Sequence, residues 1–267
     1  MSSKGIYSAV SGAMAQSSRL DTIANNIANV NTNGFKKDRQ VFSEYLSAYE
    51  KADDLIKAPR VPASIESFYD MNGGDNSYVN SAGTYTNFEQ GGLRPTGSAL
   101  DFALEGKGFF EVLTPQGVRW TRNGGTQLDG QGRLVTKEGF PILKEGQGDP
   151  TQRAFNVTSG NLTVTQRGDV FDGGNPIGRL AVVDFAKLDD LQKVGNNLYS
   201  LKDVARSTPM PVEDGRVHQG YMEASNVNVI EEMTDMITAN RVFEAAQHAV
   251  KAEDQMDDKL INQVGKV

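Results

Sequence analysis

The chain contains no cysteine, which excludes disulfides and thiolate metal sites. It has no apolar stretch near the roughly 20 residues that cross a bilayer. Its start, MSSKGIYSAVSGAMAQ, lacks the apolar block and cleavage site of a secretory signal. If the protein leaves the cytoplasm, it is expected to do so by another route. Basic runs are scarce too: none is longer than Lys36-Lys37, and the net charge is −7. A nucleic-acid partner is therefore not expected, because backbone binding needs a basic stripe that releases counterions. Histidine is limited to His218 and His248. A lone histidine on or near a helix is more often solvated or packed than catalytic.

Breakers are missing from both ends. Residues 1–34 and 222–267 hold no proline and only four glycines, Gly5, Gly12, Gly34 and Gly265, while all nine prolines and the other 24 glycines lie between Lys36 and Gly220. Both ends therefore read as helices flanking a turn-rich middle. The overall apolar fraction of 38% is below the globular norm of about 45–50%, so part of the chain is expected to lack a core of its own.

In the first helix Ile6, Val10, Ala13, Ser17, Leu20, Ala24 and Ile27 alternate in steps of four and three, which places them on one face. The pattern predicts a helix from about residue 4 to 30, roughly 40 Å long at 1.5 Å per residue. Gly34 supplies its stop, with Asn31 and Asn33 as residues that tolerate left-handed backbone. At the other end Asn228 followed by Glu231 has the spacing of a helix N-cap and third helical position. From there Val229, Met233, Met236, Phe243, Ala246, Val250 and Leu260 form an imperfect stripe, and nothing breaks the helix before about Val264. Periodicity alone fits a helical hairpin closed within one chain as well as pairing between copies. The weak anchors and polar interruptions favour helices that order fully only on assembly.

Between Phe35 and about Thr86 the sequence reads as a loop-rich connector, with a helical-looking piece near Phe42 to Ile56, then Pro59, Pro62 and the polar run Asp70 to Asn76. Strand-like runs follow at Phe109–Leu113, Val118–Arg122, Arg133–Thr136, Ala154–Thr158, Asn161–Gln166 and Arg179–Phe185. Thr114-Pro115-Gln116-Gly117, Asp129-Gly130-Gln131-Gly132 and Asp172-Gly173-Gly174-Asn175 have turn chemistry. The middle is expected to be an all-β domain with Trp120 near its core. Gly106-Lys107-Gly108 matches neither a dinucleotide fingerprint nor a P-loop and reads as a tight turn. The Asp129 and Asp172 segments lack the ligand ladder of a calcium loop. Asn156 and Asn161 begin glycosylation-like triplets that read as structural. Glu231-Glu232 and Asp257-Asp258 fit a solvated helix face better than paired-carboxylate catalysis. No metal and no cofactor is expected.

The run Ala24-Asn25-Asn26-Ile27-Ala28-Asn29-Val30-Asn31-Thr32-Asn33-Gly34-Phe35-Lys36 closely resembles the N-terminal signature of the bacterial flagellar rod and hook axial proteins. Gln219 to Val229, with Glu231-Glu232-Met233 and Arg241-Val242-Phe243-Glu244, resembles their C-terminal signature. The likeness continues through Gln90 to Leu93, Leu100 to Phe110, Trp120 to Gly124, Asp129 to Thr136 and Gly195 to Tyr199. One departure is Thr126, where similar proteins often carry an aromatic. Within the family, Gly5 to Ala13 and Ile177-Gly178-Arg179-Leu180 look most like the proximal rod members, with the distal rod members second.

The resemblance implies an α+β fold: a discontinuous coiled-coil domain made by the N- and C-terminal helices, with an inserted all-β domain and an extended connector. The corresponding boundaries are 1–35, 36–86, 87–220 and 221–267. It also implies a structural subunit of the basal-body rod, not an enzyme, exported through the flagellar type III apparatus without a cleaved signal and polymerised in the periplasm. Its partners would be other copies and other rod proteins, with no nucleic acid and no insertion in the membrane. In that mechanism Ile6, Val10, Ala13, Leu20 and Ile27 would pack against Val229, Met233, Met236, Phe243 and Val250 of the same or adjacent copies. Asn25, Asn26 and Asn29, poor helix formers, would offer amides between subunits, and Asn226 and Asn228 join this candidate interface.

Two other functions remain to be weighed. A cell-wall hydrolase would need an acid and a base facing each other, for which Asp101, Glu105 and Glu111 are the carboxylates of interest. A carbohydrate-binding β-protein would need an exposed aromatic platform.

Overall fold

The computed structural model describes residues 3–47, 76–203, 207–212 and 215–264. The described residues form two long helices and a set of mostly antiparallel sheets, a mixed α+β architecture. The helices are α1 (Ser3–Ala28) and α2 (Val229–Val264). Both follow from the absence of breakers; Gly12 is tolerated inside α1, where a side chain would meet open space. Asn228 stands immediately before α2, and Glu231 and Glu232 in its first turn complement the positive end of the helix dipole. The turn after α1 closes through Asn29 N–H to Asn25 O and Val30 N–H to Ile27 O. The helix ends at Ala28, ahead of the expected stop; Gly34, at φ +70°, lies in a later turn closed by Phe35 N–H to Thr32 O. Asn31 and Asn33 do not take up left-handed backbone. Among the described residues, the asparagines in the left-handed region are Asn196 and Asn197, in a turn between strands.

The chain divides into two compact units. One consists of Met1–Ala24, Arg39–Tyr85 and Ile230–Val267, the other of Asn25–Asp38 and Thr86–Val229. In the first, the strand-forming segments are β1 (Asp38–Ser47) and β2 (Asn76–Thr86), which pair with each other. The expected helix over 42–56 is thus a strand as far as Ser47. Val41 and Phe42 supply β-favouring side chains there, and pairing with β2 overrides the weak helical spacing. Residues 48–56 of that piece, Pro59, Pro62 and the polar run up to Asp75 lie outside the described residues. Gln40 on β1 ties to the helix: its Nε2 donates to Ser18 Oγ at 3.0 Å and its Oε1 accepts from Thr22 Oγ1 at 3.0 Å. Ser18 and Thr22 are four apart, one above the other on α1.

The second unit is built on a six-stranded antiparallel sheet, in spatial order Leu191–Lys193, Leu198–Leu201, Gly117–Thr121, Phe109–Thr114, Val182–Asp184 and Met210–Pro211. Its central strand, Phe109–Thr114, is buried on both faces. The alternation of a strand sends Phe110 and Val112 into one cluster with Phe102, Leu104, Leu134, Ile142 and Phe155. Phe109 points the other way, into an aromatic cluster with Trp120, Phe185, Leu191 and Tyr199. Trp120 and Phe185 meet edge to face at 5.0 Å. The expected turns are in place: Pro115-Gln116 joins the first hairpin, and Gly173 and Gly174, both at positive φ, join Asp169–Asp172 to Asn175–Arg179. Ala154–Thr158 is not a strand. It holds only single bridges, Leu143 to Ala154 and Arg133 to Asn156. Thr126, in place of an aromatic, is buried and donates its hydroxyl to Leu100 O, so the position keeps a polar contact where a ring would have packed.

Asp172 organises the loop that precedes its hairpin. Its carboxylate accepts from the Thr158 and Ser159 amides and from both hydroxyls. The Ser159 hydroxyl, the Thr158 amide and the other donors hold its pKa down to about 2, against an ordinary 3.8. A depressed carboxylate stabilises the fold above its unfolded pKa and loses that contribution as pH falls through the folded one. Acid titration of the folded protein should therefore show a loss of stability between about pH 4 and pH 2. Replacing Asp172→Asn should lower stability at neutral pH and flatten the profile in that window, as followed by thermal unfolding.

Candidate functional site

The residues of the two sequence signatures meet in the second unit, around one buried ion pair. Lys36 Nζ lies 2.5 Å from Glu223 Oε1, and both side chains are fully buried. The same ammonium donates to Glu89 O at 2.7 Å. Glu223 Oε1 also accepts from the Gly91 amide at 3.0 Å, and Arg122 Nη1 stands 3.5 Å from Oε2. Arg122 is itself buried, held by Nη2 on Gly106 O at 2.6 Å with its guanidinium over the Phe109 ring. Burial pushes the Lys36 and Arg122 pKa values down, and Glu223 opposes that shift in both. Lys36 comes from the N-terminal signature, Glu223 from the C-terminal one and Arg122 from the β-sheet between them.

Backbone contacts reinforce the convergence. Gly34 N–H donates to Glu223 O at 2.8 Å, and Ala224 N–H donates to Gly92 O at 2.8 Å. Asn226 accepts from the Lys37 amide at 2.7 Å and donates to Asn87 O at 2.8 Å and Glu89 O. The backbones come too close for side chains at two points. A Cβ on Gly91 would lie 2.0 Å from Ala224 O, and one on Gly34 would lie 2.6 Å from the Asn123 amide.

A second polar cluster fixes the segment that leaves α1. Asn26, almost fully buried, pairs its amide with the backbone of Asp38: Nδ2 donates to Asp38 O at 2.9 Å and Oδ1 accepts from Asp38 N at 3.0 Å. The Asp38 carboxylate accepts from Thr86 Oγ1 at 2.6 Å and from Lys193 Nζ at 2.8 Å. Lys193 also donates to Lys36 O at 2.5 Å and sits 4.2 Å over the Phe35 ring. Asn197 Nδ2 reaches back to Asn33 O at 3.0 Å.

The structure disperses the sequence-selected interface residues. Asn26 and Asn226 fall in the junction just described. An inter-subunit bond from Asn26 would compete with a pair that already takes its Oδ1 and one amide hydrogen. Asn29 Nδ2 donates to Asn25 O within the last turn of α1, and Asn25 is exposed. Asn228 is exposed ahead of α2. Ala13, Leu20 and Ile27 on α1, and Val229, Met236, Phe243 and Val250 on α2, are half-buried, while Val10 and Met233 are exposed. Ile6 lies in α1.

Helical periodicity missed Lys36, Arg122, Glu223, Lys193 and Gly91, because none belongs to an apolar stripe. One signal was available: Lys36 and Glu223 are opposite charges set among the small and apolar residues of the two signatures. Lys36-Lys37, the longest basic run, is no surface patch, since both side chains are buried. The carboxylates weighed for hydrolysis each have a separate tie. Asp101 accepts from Thr96 Oγ1 at 2.6 Å, Glu105 meets His218 Nε2 at 2.6 Å and Glu111 meets Arg153 Nη2 at 2.5 Å.

The β-unit thus gathers the segments leading to both terminal helices at one buried point, an arrangement of structural contacts. Three family models match in chain order: the flagellar basal body rod protein over residues 6–36, the FlgE/F/G D1 domain of the flagellar hook protein over 103–171, and the C-terminal region of the flagellar basal body rod FlgEFG proteins over 218–263. The chain is 35% identical to the basal-body rod protein FlgG of Buchnera aphidicola subsp. Schizaphis graminum, over 93% of this chain and 95% of the relative. It is 32% identical to FlgF of Caulobacter vibrioides over 98% of each chain, and 34% identical to FlgG of Bacillus subtilis over 97% and 98%. The chain belongs to the flagellar basal-body rod protein family and is a structural rod subunit. Its relatives include both FlgG and FlgF proteins, so the likeness defines the family and not one level of the rod.

The close approach at Gly34 gives a direct test of the junction. Gly34→Ala adds both left-handed strain and a backbone clash, whereas Gly97→Ala adds only the strain, since Gly97 has φ +74° and open space around it. Gly34→Ala should cost about 2 kcal/mol or more and Gly97→Ala about 1 kcal/mol, measured by urea unfolding.

Proposed function

We propose that this subunit builds the rod by laying α1 and α2 against the same helices of neighbouring copies, as a coiled-coil core. The observation that supports this reading is a matched pair of exposed apolar rows. On α1, Tyr7, Val10 and Met14 are 61%, 38% and 70% exposed. On α2, Ile230, Met233 and Ile237 are 78%, 50% and 57% exposed. Both rows have the spacing i, i+3, i+7, the seam of a helix pair. Tyr7, Met14, Ile230 and Ile237 extend the interface expected from Ile6, Val10, Ala13, Leu20, Ile27, Asn25, Asn26, Asn29, Asn226, Asn228, Val229, Met233, Met236, Phe243 and Val250.

Large apolar side chains left in water lose roughly 1.5–3 kcal/mol each relative to full burial. A contact between unlike rows of successive copies is heterologous, and a rod requires that its rotation per copy does not close, giving a helical array and not a ring. The small residues Ala13, Ser17 and Ala24 let a second helix approach α1 closely. The chain would travel to this site through the flagellar type III export apparatus and assemble in the periplasm, with other rod proteins as its neighbours. The division at 1–35, 36–86, 87–220 and 221–267 is the corresponding domain scheme.

Met14→Glu and Ile237→Glu, each on an exposed position, should leave thermal unfolding of the β-unit unchanged and abolish incorporation into rods, read as loss of motility and of rod-bound subunit. Normal incorporation of both variants would remove the helix-seam reading.

A further inference from the structure

The buried Lys36, Glu223 and Arg122 do more than hold one position. We propose that they form a two-ended latch, in which the N-terminal segment 25–38 and the C-terminal segment 219–228 dock on the β-sheet together or not at all. This inference rests on the geometry of the second unit and is independent of the polymerisation proposal.

The three groups come from three parts of the chain, and the acid shared by two cations is the last of them in sequence. Lys36 is 0% exposed and its ion partner is Glu223, 187 residues away. Its remaining contact is a neutral carbonyl, Glu89 O. If segment 219–228 detaches, Lys36 becomes a buried ammonium beside a buried guanidinium with no acid between them. Removing one partner of such a pair costs far more than the pair contributes, because the other is left as an uncompensated charge. Lys36 then has to return to water, and Gly34, Phe35 and Lys37 leave with it. In the opposite direction, loss of Lys36 leaves Glu223 with Arg122 at 3.5 Å and the Gly91 amide at 3.0 Å. Removing the Glu223 charge is therefore costlier than removing that of Lys36, although the coupling between the two docked segments is itself the same in both directions.

A second observation points the same way. Arg122 Nε and Nη1 and Glu223 Oε2 are buried without a hydrogen-bond partner among the described residues, so the Arg122–Glu223 contact is an ion pair without hydrogen-bond geometry. The sheet's own cation does not satisfy Glu223 by itself. The direct bond is reserved for Lys36. Backbone contacts carry the coupling further: Gly34 N–H to Glu223 O, Lys37 N–H to Asn226 Oδ1, and Asn226 N–H to Phe35 O all join one segment to the other. By linkage, whatever frees one segment weakens the other. For a subunit with interacting helices at both ends, the latch makes their attachment points appear as a pair.

The test is hydrogen exchange on the full-length chain, read at Gly34 and Lys37, at Ala224, and at the central strand Phe109–Thr114. In Glu223→Gln, exchange at Gly34 and Lys37 should rise roughly 100-fold or more while the central strand stays protected. In Lys36→Met, exchange at Ala224 should rise by a smaller factor, about 10-fold. The triple variant Lys36→Met, Arg122→Met and Glu223→Leu removes all three buried charges, and it should restore much of the protection at Gly34. Unchanged exchange at Gly34 and Lys37 in Glu223→Gln would overturn the latch. So would loss of protection in the central strand in both single variants, which would make the triad part of the general core and not a device at the ends.

Discussion

A fully buried ammonium with a single carboxylate to neutralise it constrains this whole chain. Lys36 and Glu223 sit 2.5 Å apart at no solvent exposure, and desolvating two charges is costly unless geometry and added hydrogen bonds offset it. The offset comes from elements that have no other reason to be adjacent: Glu89 O and the Gly91 amide from the loop after β2, and Arg122 from the edge of a hairpin. The pair gives little net stability, but it makes alternative arrangements of the two end segments expensive. That specificity fits the proposed assembly, in which contacts are made at the two ends.

The β-unit is the platform that makes such precision affordable. Its central strand is covered on both faces, by an aliphatic-rich cluster on one and by the aromatic cluster of Phe109, Trp120, Phe185 and Tyr199 on the other. A strand packed from both sides cannot slip by one residue without exchanging its two buried sets. The aromatic face touches the junction through the Arg122 guanidinium over Phe109, and Lys193, at the end of a strand of the same sheet, reaches it over Phe35. Gly34 and Gly91 complete the arrangement by letting backbones meet where a methyl group would separate them. By contrast, the exposed apolar rows on α1 and α2 are left without such cover, and they are the surfaces on which assembly is proposed.

Much of the fold was legible in the sequence wherever the cause was local. The two helices follow from missing breakers and from Asn228 ahead of α2; the hairpins at Pro115-Gln116 and Gly173-Gly174 follow from turn residues whose preferences act within four positions. The family was legible because its two signatures survive as contiguous runs. The β1 strand was not, since Phe42 to Ser47 is neutral between helix and strand until β2 lies beside it. Ala154–Thr158 failed in the other direction: it has the composition of a strand, but only single bridges form along it.

The candidate site divides along the same line. By itself the sequence determined that both ends are helical, that the middle is rich in turns and strands, and that no thiol chemistry is available, because each of these depends on composition or on neighbours a few residues apart. Only the tertiary structure decided that Lys36 belongs to Glu223, that Asn26 closes on the backbone of Asp38, and that Gly34 and Gly91 stand at close backbone approaches. It also separated the half-buried helix residues from Tyr7, Met14, Ile230 and Ile237, which face water. Burial and the pairing of charges distant in sequence are properties of a closed chain, and no local pattern encodes which two segments the closure brings together.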